Sequence, residues 1–384
     1  MDMMFEAYLT QEAGHMEPDD IPHTKDPVWV LGKKYRAIDD LEIIRKDIHS
    51  KLWFTYRRGF VQIGDTGITT DKGWGCMLRC GQMVLAQALV CLHLAGRDWC
   101  WNPESQNTAY LQILHMFEDR RAATYSIHQI ALMGASEGKE VGQWFGPNTV
   151  AQVLKKLAVY DEWSSIVIHV ALDNTVIVNE IKRLCKSSSQ QSSGDRDFHH
   201  TRNWKPLVLI VPLRLGLNEI NPVYVQGLKT CFTFKQSLGV IGGKPNHALY
   251  FIGCVGDEVI YLDPHTTQPA GFVEEKEHEH ERALDSSYHC QYASRMHILH
   301  MDPSVAACFF CNTEEEFDSL CQLIQKRLVR PEKQPLFELC NERPRQWSPL
   351  EDGAEEALGA TACMSFEDFE RQFDDSDEEF ELLG

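Results

Sequence analysis

The eight residues Gly73-Trp74-Gly75-Cys76-Met77-Leu78-Arg79-Cys80 constrain this chain more than any other stretch. Two glycines permit a sharp turn. The cysteine that follows opens a segment, reaching about Leu94, in which Met77, Leu78, Met83, Val84, Leu85, Leu89 and Val90 leave almost no polar face. A helix that is apolar all round must be enclosed on most sides, so the pattern predicts a buried central helix with the fold assembled around it. Cys76 then stands at the first helical residue. Unpaired N–H groups and partial positive charge at that position favour a thiolate, whereas a free thiol titrates near ~8.5.

At 384 residues the chain can bury a sizeable core. No apolar run approaches the roughly 20 residues needed to span a bilayer. The start, Met1-Asp2-Met3-Met4-Phe5-Glu6-Ala7, is acidic, unlike a signal or transit peptide. A soluble cytoplasmic protein is expected. Thirteen cysteines are an odd number at irregular spacings, and several, such as Cys91, lie in apolar segments, so they read as reduced, packed thiols. The net charge of −19 argues against a nucleic-acid partner. Most of it is local: Glu351 to Gly384 holds thirteen acids and one base, which leaves −7 for everything before.

The pattern divides the chain into a polar arm over 1–25, an ordered body over 26–345 and an acidic tail over 346–384. Asp39 to Lys51 reads as a surface helix, and the aromatics of Leu52-Trp53-Phe54-Thr55-Tyr56-Arg57 should face inward. Val150, Val153, Leu154 and Leu157 mark a second amphipathic helix, with Asn148 or Thr149 available as its cap. A further helix closes over Ile181 to Cys185. The polar stretch at about 186–204 reads as an insertion, and Glu274 to Arg282 as a charged loop. Strands follow at Leu207–Leu213, Leu249–Val255 and Val259–Leu262, the last two joined as a hairpin by Gly256-Asp257-Glu258. Helices first and strands later predict an α+β fold.

A second segment supplies what a reactive thiol needs. In Tyr261-Leu262-Asp263-Pro264-His265, residues 263 and 265 would share one face of a strand, so the carboxylate could orient the imidazole and stabilise its charged form. Pro264 cannot donate a ladder hydrogen bond, which puts the segment at a strand end or edge. On residue chemistry alone two readings stand side by side: Cys76 as nucleophile with His265 as its base, or a packed thiol and a hydrogen-bonded core histidine. His128 is a competing base without an adjacent carboxylate. Cys80, one turn from Cys76, is a redox partner or a packed helix thiol. Cys308-Phe309-Phe310-Cys311 has metal-site spacing, but in a strand its two thiols point to opposite faces, so no metal is expected.

Four blocks together resemble the autophagins, papain-like cysteine endopeptidases that act on ubiquitin-like autophagy modifiers of the GABARAP class. They are Gly73 to Arg79, Gly142-Gln143-Trp144-Phe145-Gly146-Pro147-Asn148-Thr149, Gly239-Val240-Ile241-Gly242-Gly243-Lys244-Pro245 and Leu262 to Gln268. The resemblance covers about Pro27 to Leu339 and is greatest to animal paralogues of broad or GABARAP-biased specificity. It implies a papain-like fold, with a central helix on an antiparallel sheet and a small auxiliary subdomain. It implies Cys76 as nucleophile, His265 as general base and acid, Asp263 as orienter, and Tyr56 beside the Cys76 backbone N–H as oxyanion donor. Trp144 and a loop containing Gly242, Gly243, Lys244 and Pro245 would wall a groove narrow enough to require glycine before the scissile bond. The implied reactions are precursor trimming and release of the modifier from phosphatidylethanolamine, by a monomer without a cofactor.

The tail adds Asp374-Asp375-Ser376-Asp377-Glu378-Glu379-Phe380-Glu381-Leu382-Leu383, in which Phe380 and Leu383 are spaced to fill two pockets of a modifier while the chain adds to its sheet edge. Phe366-Glu367-Asp368-Phe369 is a weaker copy, and Ser376 sits in acidic surroundings. The competing classes are an inactive modifier-binding module and a transglutaminase-like enzyme with the same three residue types.

Overall fold

The computed structural model describes residues 21–104, 107–186, 204–271, 285–331 and 333–343. The proposed insertion, the charged loop and the tail with Phe380 and Leu383 lie almost entirely outside these residues. Ile21, assigned to the arm by sequence, is buried in the core.

The chain opens with the hairpin β1 (Pro27–Val30) and β2 (Lys33–Arg36), then α1 (Leu41–His49) and the short β3 (Tyr56–Arg58). A helical layer follows: α2 (Cys76–His93), α3 (Thr108–Phe117), α4 (Ile127–Met133) and α5 (Pro147–Leu157). After β4 (Val167–Val170), β5 (Thr175–Ile177) and α6 (Val178–Lys186) come β6 (Leu207–Arg214), α7 (Val225–Cys231), β7 (Ser237–Gly242), β8 (Leu249–Val255) and β9 (Glu258–Leu262). The chain continues through β10 (Thr267–Pro269), β11 (Ser294–His297), β12 (Ser304–Cys311), α8 (Glu314–Ile324) and β13 (Glu338–Cys340).

Nine strands form the main sheet, in the order β11-β9-β8-β7-β12-β6-β4, with β1 and β2 appended through β8. It is antiparallel except at one edge, where β4 runs parallel to β6. The sheet is therefore mixed, because β4 leads into β6 through α6, and a helical crossover returns the chain in the same direction. Both faces are covered. Residues alternating along each strand contribute to separate cores, and β12 shows it: Cys308 and Phe310 pack with the helical layer, Phe309 and Cys311 with α6 and α8. The Cys308/Cys311 pair thus faces opposite sides of the sheet.

Helix α2 is the innermost element, with every residue from Cys76 to Val90 buried. It is apolar and long enough to resemble a membrane span, but it lies inside the protein. It rests on β7 and β8 on one side and on α5 on the other. Close approach to α5 requires Gly81, where a β-carbon would come within 2.7 Å of Val150 Cγ2. Helix α5 starts differently from expectation: Gly146 is its N-cap and Pro147 its first residue, with no side-chain cap. Proline suits that position because its missing N–H would have no helical partner there.

Gly81→Ala should lower stability by about 1–2 kcal/mol in urea unfolding despite alanine's better helix propensity, because the stiff Val150 side chain cannot retreat. Adding Val150→Ala should recover part of the loss relative to Val150→Ala alone.

Candidate active site

The turn before α2 has a separate reason for each glycine. Gly73 adopts φ +89°, and a β-carbon on Gly75 would lie 2.4 Å from the Asp71 carboxylate. Trp74 between them is half-buried, and its indole N–H donates to the Thr70 carbonyl over 3.1 Å. Gly75 caps α2 without any side-chain hydrogen bond, so the helix terminus beside Cys76 is not neutralised by a cap.

Asp263 and His265 are side by side, but not through the strand geometry expected from sequence. β9 ends at Leu262, and the next three residues form a turn. Asp263 Oδ1 accepts both the His265 backbone N–H, at 2.9 Å, and Nδ1 of the ring, at 2.5 Å. Pro264 has no N–H to offer, so the first donor the carboxylate can meet is that of His265, and the result is an Asx-type turn. Two further bonds hold the segment. Tyr56 N–H donates to the Pro264 carbonyl at 2.9 Å, and the Trp53 indole donates to the Asp263 carbonyl at 2.7 Å. β3 and β10 then pair in parallel, Tyr56 opposite Thr267, so the strand with Tyr56 is bonded to the chain just past His265. The Tyr56 and His265 rings meet edge to face, with centroids 5.5 Å apart.

These constraints bring Cys76, His265 and Tyr56 together. Burial pushes the Cys76 thiol up, but the neighbouring His265 imidazole, Ala248 backbone N–H and Tyr56 hydroxyl outweigh it, and the thiol is held below its ordinary value. His265 Nε2 and the Tyr56 hydroxyl are both buried with no hydrogen-bond partner of ordinary geometry among the described residues. Burial disfavours the His265 cation; its hydrogen bond to Asp263 and the nearby Cys76 sulfur prevail and raise it to about 10. Asp263 is held low by the same imidazole, against burial. Tyr56 is pushed well above the usual phenol range, first by burial and then by the Cys76 charge, and stays a donor. The surroundings thus favour a thiolate at Cys76 and an imidazolium at His265, the latter oriented by a carboxylate, with a neutral hydroxyl alongside.

Gly242, Gly243 and Lys244 line a cleft of about 510 Å³ together with His247, Asp263 and His265. Pro245 is exposed on the same loop. Trp144 does not line this cleft; its half-buried ring packs against the helical-layer core, and its buried indole N–H has no hydrogen-bond partner. The Ala248 N–H was invisible to sequence reasoning because any residue offers a backbone donor. His128 sits elsewhere, fully buried with Nε2 on the Val61 carbonyl. Burial pushes the Cys80 thiol well above its ordinary value, so it is a packed, protonated group. Among the described residues no group of three or more His, Cys, Asp and Glu side chains gathers as metal ligands would.

The description of the peptidase C54 catalytic domain matches residues 41–323. The chain is 53% identical over 383 residues to cysteine protease ATG4B of Xenopus laevis, covering 95% of both. It is 49% identical over 382 residues to cysteine protease ATG4A of Gallus gallus, covering 95% of this chain and 99% of the relative. Against cysteine protease ATG4A of Homo sapiens the identity is 48% over 387 residues, covering 95% of both. A family model over most of the chain and relatives about half identical along nearly its whole length show that the chain belongs to the peptidase C54 family of papain-like cysteine proteases.

Proposed function

We propose that this enzyme cleaves after the C-terminal glycine of ubiquitin-like autophagy modifiers, trimming precursors and releasing modifiers from phosphatidylethanolamine. The observation that carries the mechanism is the bond from His265 Nδ1 to Asp263, which leaves the buried Nε2 of the same ring without a hydrogen-bond partner among the described residues, beside Cys76 at the start of a buried helix. The Cys76 thiolate attacks the glycine carbonyl carbon. Tyr56 and the Cys76 backbone N–H receive the charge that forms on oxygen. His265 gives its proton to the departing amine, and an acyl-enzyme thioester remains. Water then attacks the thioester while His265 takes its proton, and the thiolate leaves. The Gly242–Pro245 segment is assigned to the wall of the substrate groove, and a slim glycine-ended chain is its assigned occupant. The same chemistry serves both substrates, since each presents a glycine acyl group on an amine. All twelve described cysteines are free, which suits a reducing cytoplasm.

Incubation with a C-terminally extended modifier, read by mass spectrometry, should give one cut, after the glycine. Cys76→Ala should lower the rate by at least about 1,000-fold, since no other group can form the thioester; appreciable turnover by this variant would sink the assignment. Asp263→Ala should cost about 100-fold, and Tyr56→Phe about 10- to 100-fold, mainly in kcat.

The pKa shifts have a definite sign. Alkylation of Cys76 by low doses of iodoacetamide, followed by peptide mass spectrometry, should have its pH midpoint below that of a free thiol, ~8.5. In His265→Ala, burial remains while the largest opposing interaction is lost, so the midpoint should move above ~8.5. An unchanged midpoint would show that His265 does not contact the thiolate.

The acidic tail is assigned to a second contact with the modifier, Phe380 and Leu383 filling two pockets. Phe380→Ala should weaken modifier binding about tenfold by calorimetry while leaving hydrolysis of a small acyl substrate intact. Equal affinity would retire that motif.

A further inference from the structure

Behind the turn lies a charge network that the mechanism above does not use. Arg79, one turn into α2, is 1% exposed, and Asp71, just before the turn, is completely buried. Arg79 Nε donates to Asp71 Oδ2 at 2.8 Å and Nη2 to Oδ1 at 3.1 Å, a two-pronged contact. Its remaining nitrogen, Nη1, reaches Asp119 Oδ1 at 2.8 Å and Gln82 Oε1 at 3.1 Å. Gln82 in turn donates to the Tyr125 carbonyl at 2.7 Å.

Asp71 is unusual in where its other bonds go. Its carbonyl accepts the N–H groups of Trp74, at 3.2 Å, and Gly75, at 2.8 Å, which closes the turn in front of Cys76. Its Oδ1 also accepts the backbone N–H of Arg57 at 2.7 Å. Arg57 directly follows Tyr56, whose own N–H is bonded to the Pro264 carbonyl. A single buried residue therefore ties together the turn that presents the thiol, the strand that carries the tyrosine and, through that strand, the turn that carries the histidine. Gly75 is needed because Asp71 fills the space where its β-carbon would be. Arg57 does not compete for this carboxylate: its guanidinium donates to the Pro269 and Ser287 carbonyls and lies over the Tyr288 ring.

We propose that Asp71, held by the two-pronged contact with Arg79, is a positioning residue that keeps Cys76 in register with Tyr56 and His265. The inference rests on the catalytic roles assigned above. The three reacting groups come from three separate segments, one of them nearly 200 residues downstream, and each is within one or two hydrogen bonds of Asp71. A displacement of ~1 Å at such a site costs about 100-fold in rate. Asp119 holds the opposite end of the same guanidinium but, among the described residues, makes no hydrogen bond to those segments. That contrast separates positioning from plain stability.

The test compares Asp71→Asn with Asp119→Asn in the full-length enzyme. Each removes one carboxylate from Arg79 and should lower the melting temperature. Asp71→Asn should also lower kcat about 100-fold with KM within about twofold, and raise the pH midpoint of Cys76 alkylation by about one unit, as the loosened turn draws the thiol from its partners. Asp119→Asn should leave the midpoint in place and kcat within about threefold. Should Asp71→Asn not fold, Arg79→Lys takes its place. It keeps the charge but loses the fork, so a folded Arg79→Lys enzyme should show the same two changes at about a tenth of the kcat effect. Equal kcat losses for the Asp71 and Asp119 variants, or an unmoved midpoint in folded Asp71→Asn or Arg79→Lys, would overturn the proposal. Cys76→Ala in the same series isolates the parent reading: its continued activity would refute the catalytic assignment itself, whatever the Asp71 variants did.

Discussion

The enclosure of the Cys76–His93 helix is the interaction on which the rest of this structure depends. Its apolar side chains, Met77, Leu78, Met83, Val84, Leu85, Leu89 and Val90, are all essentially inaccessible. Burial at about 1.5–3 kcal/mol per large side chain places of order 10–20 kcal/mol of driving force in this one element. The helix cannot slide or rotate without exposing some of that surface. Its first residue is therefore located by the whole core rather than by a loop, and a nucleophile placed there inherits the rigidity of the interior.

Burial is hostile to charge, and the site works against that hostility. Taken alone, desolvation would keep Cys76 protonated and His265 neutral. Neighbouring groups oppose both tendencies: Asp263 and the Cys76 sulfur favour the imidazolium, while His265, Ala248 N–H and Tyr56 favour the thiolate. Each charge is stabilised by a partner that would be costly to desolvate alone. Cys80, four residues along the same helix, has the burial without the partners and remains a thiol. The difference between the two cysteines lies in what faces each sulfur.

Much of this was legible in the chain. The α2 pattern read as a buried helix because all-round apolarity has few other solutions, and its observed bounds agree with the reading. The β8–β9 hairpin was legible because a Gly-Asp-Glu break separated two apolar runs. The Asp263–His265 pairing was foreseen for the wrong geometric reason: the strand stops one residue too early, and Pro264 forces a turn that brings the same two groups together. The cap of α5 was misread because Asn148 and Thr149 look like capping residues, whereas Pro147 already occupies the first turn. The Asp71–Arg79–Asp119 network left no recognisable trace, since buried ion pairs carry no periodicity.

The sequence by itself determined the helix that must be enclosed, the turn in front of it, the candidate thiol and its histidine, and the family to which those blocks belong. These are local properties, set by side-chain polarity, spacing and the conformational freedom of glycine and proline. Only the tertiary structure decided which sulfur meets a histidine, which backbone N–H reaches it, and how one aspartate joins three distant segments. Such contacts are made between residues as far as about 200 positions apart, brought together by the pairing of β3 with β10 and the seating of the helix on the sheet. Electrostatics in a buried site depend on those final distances, and no reading of the chain in order contains them.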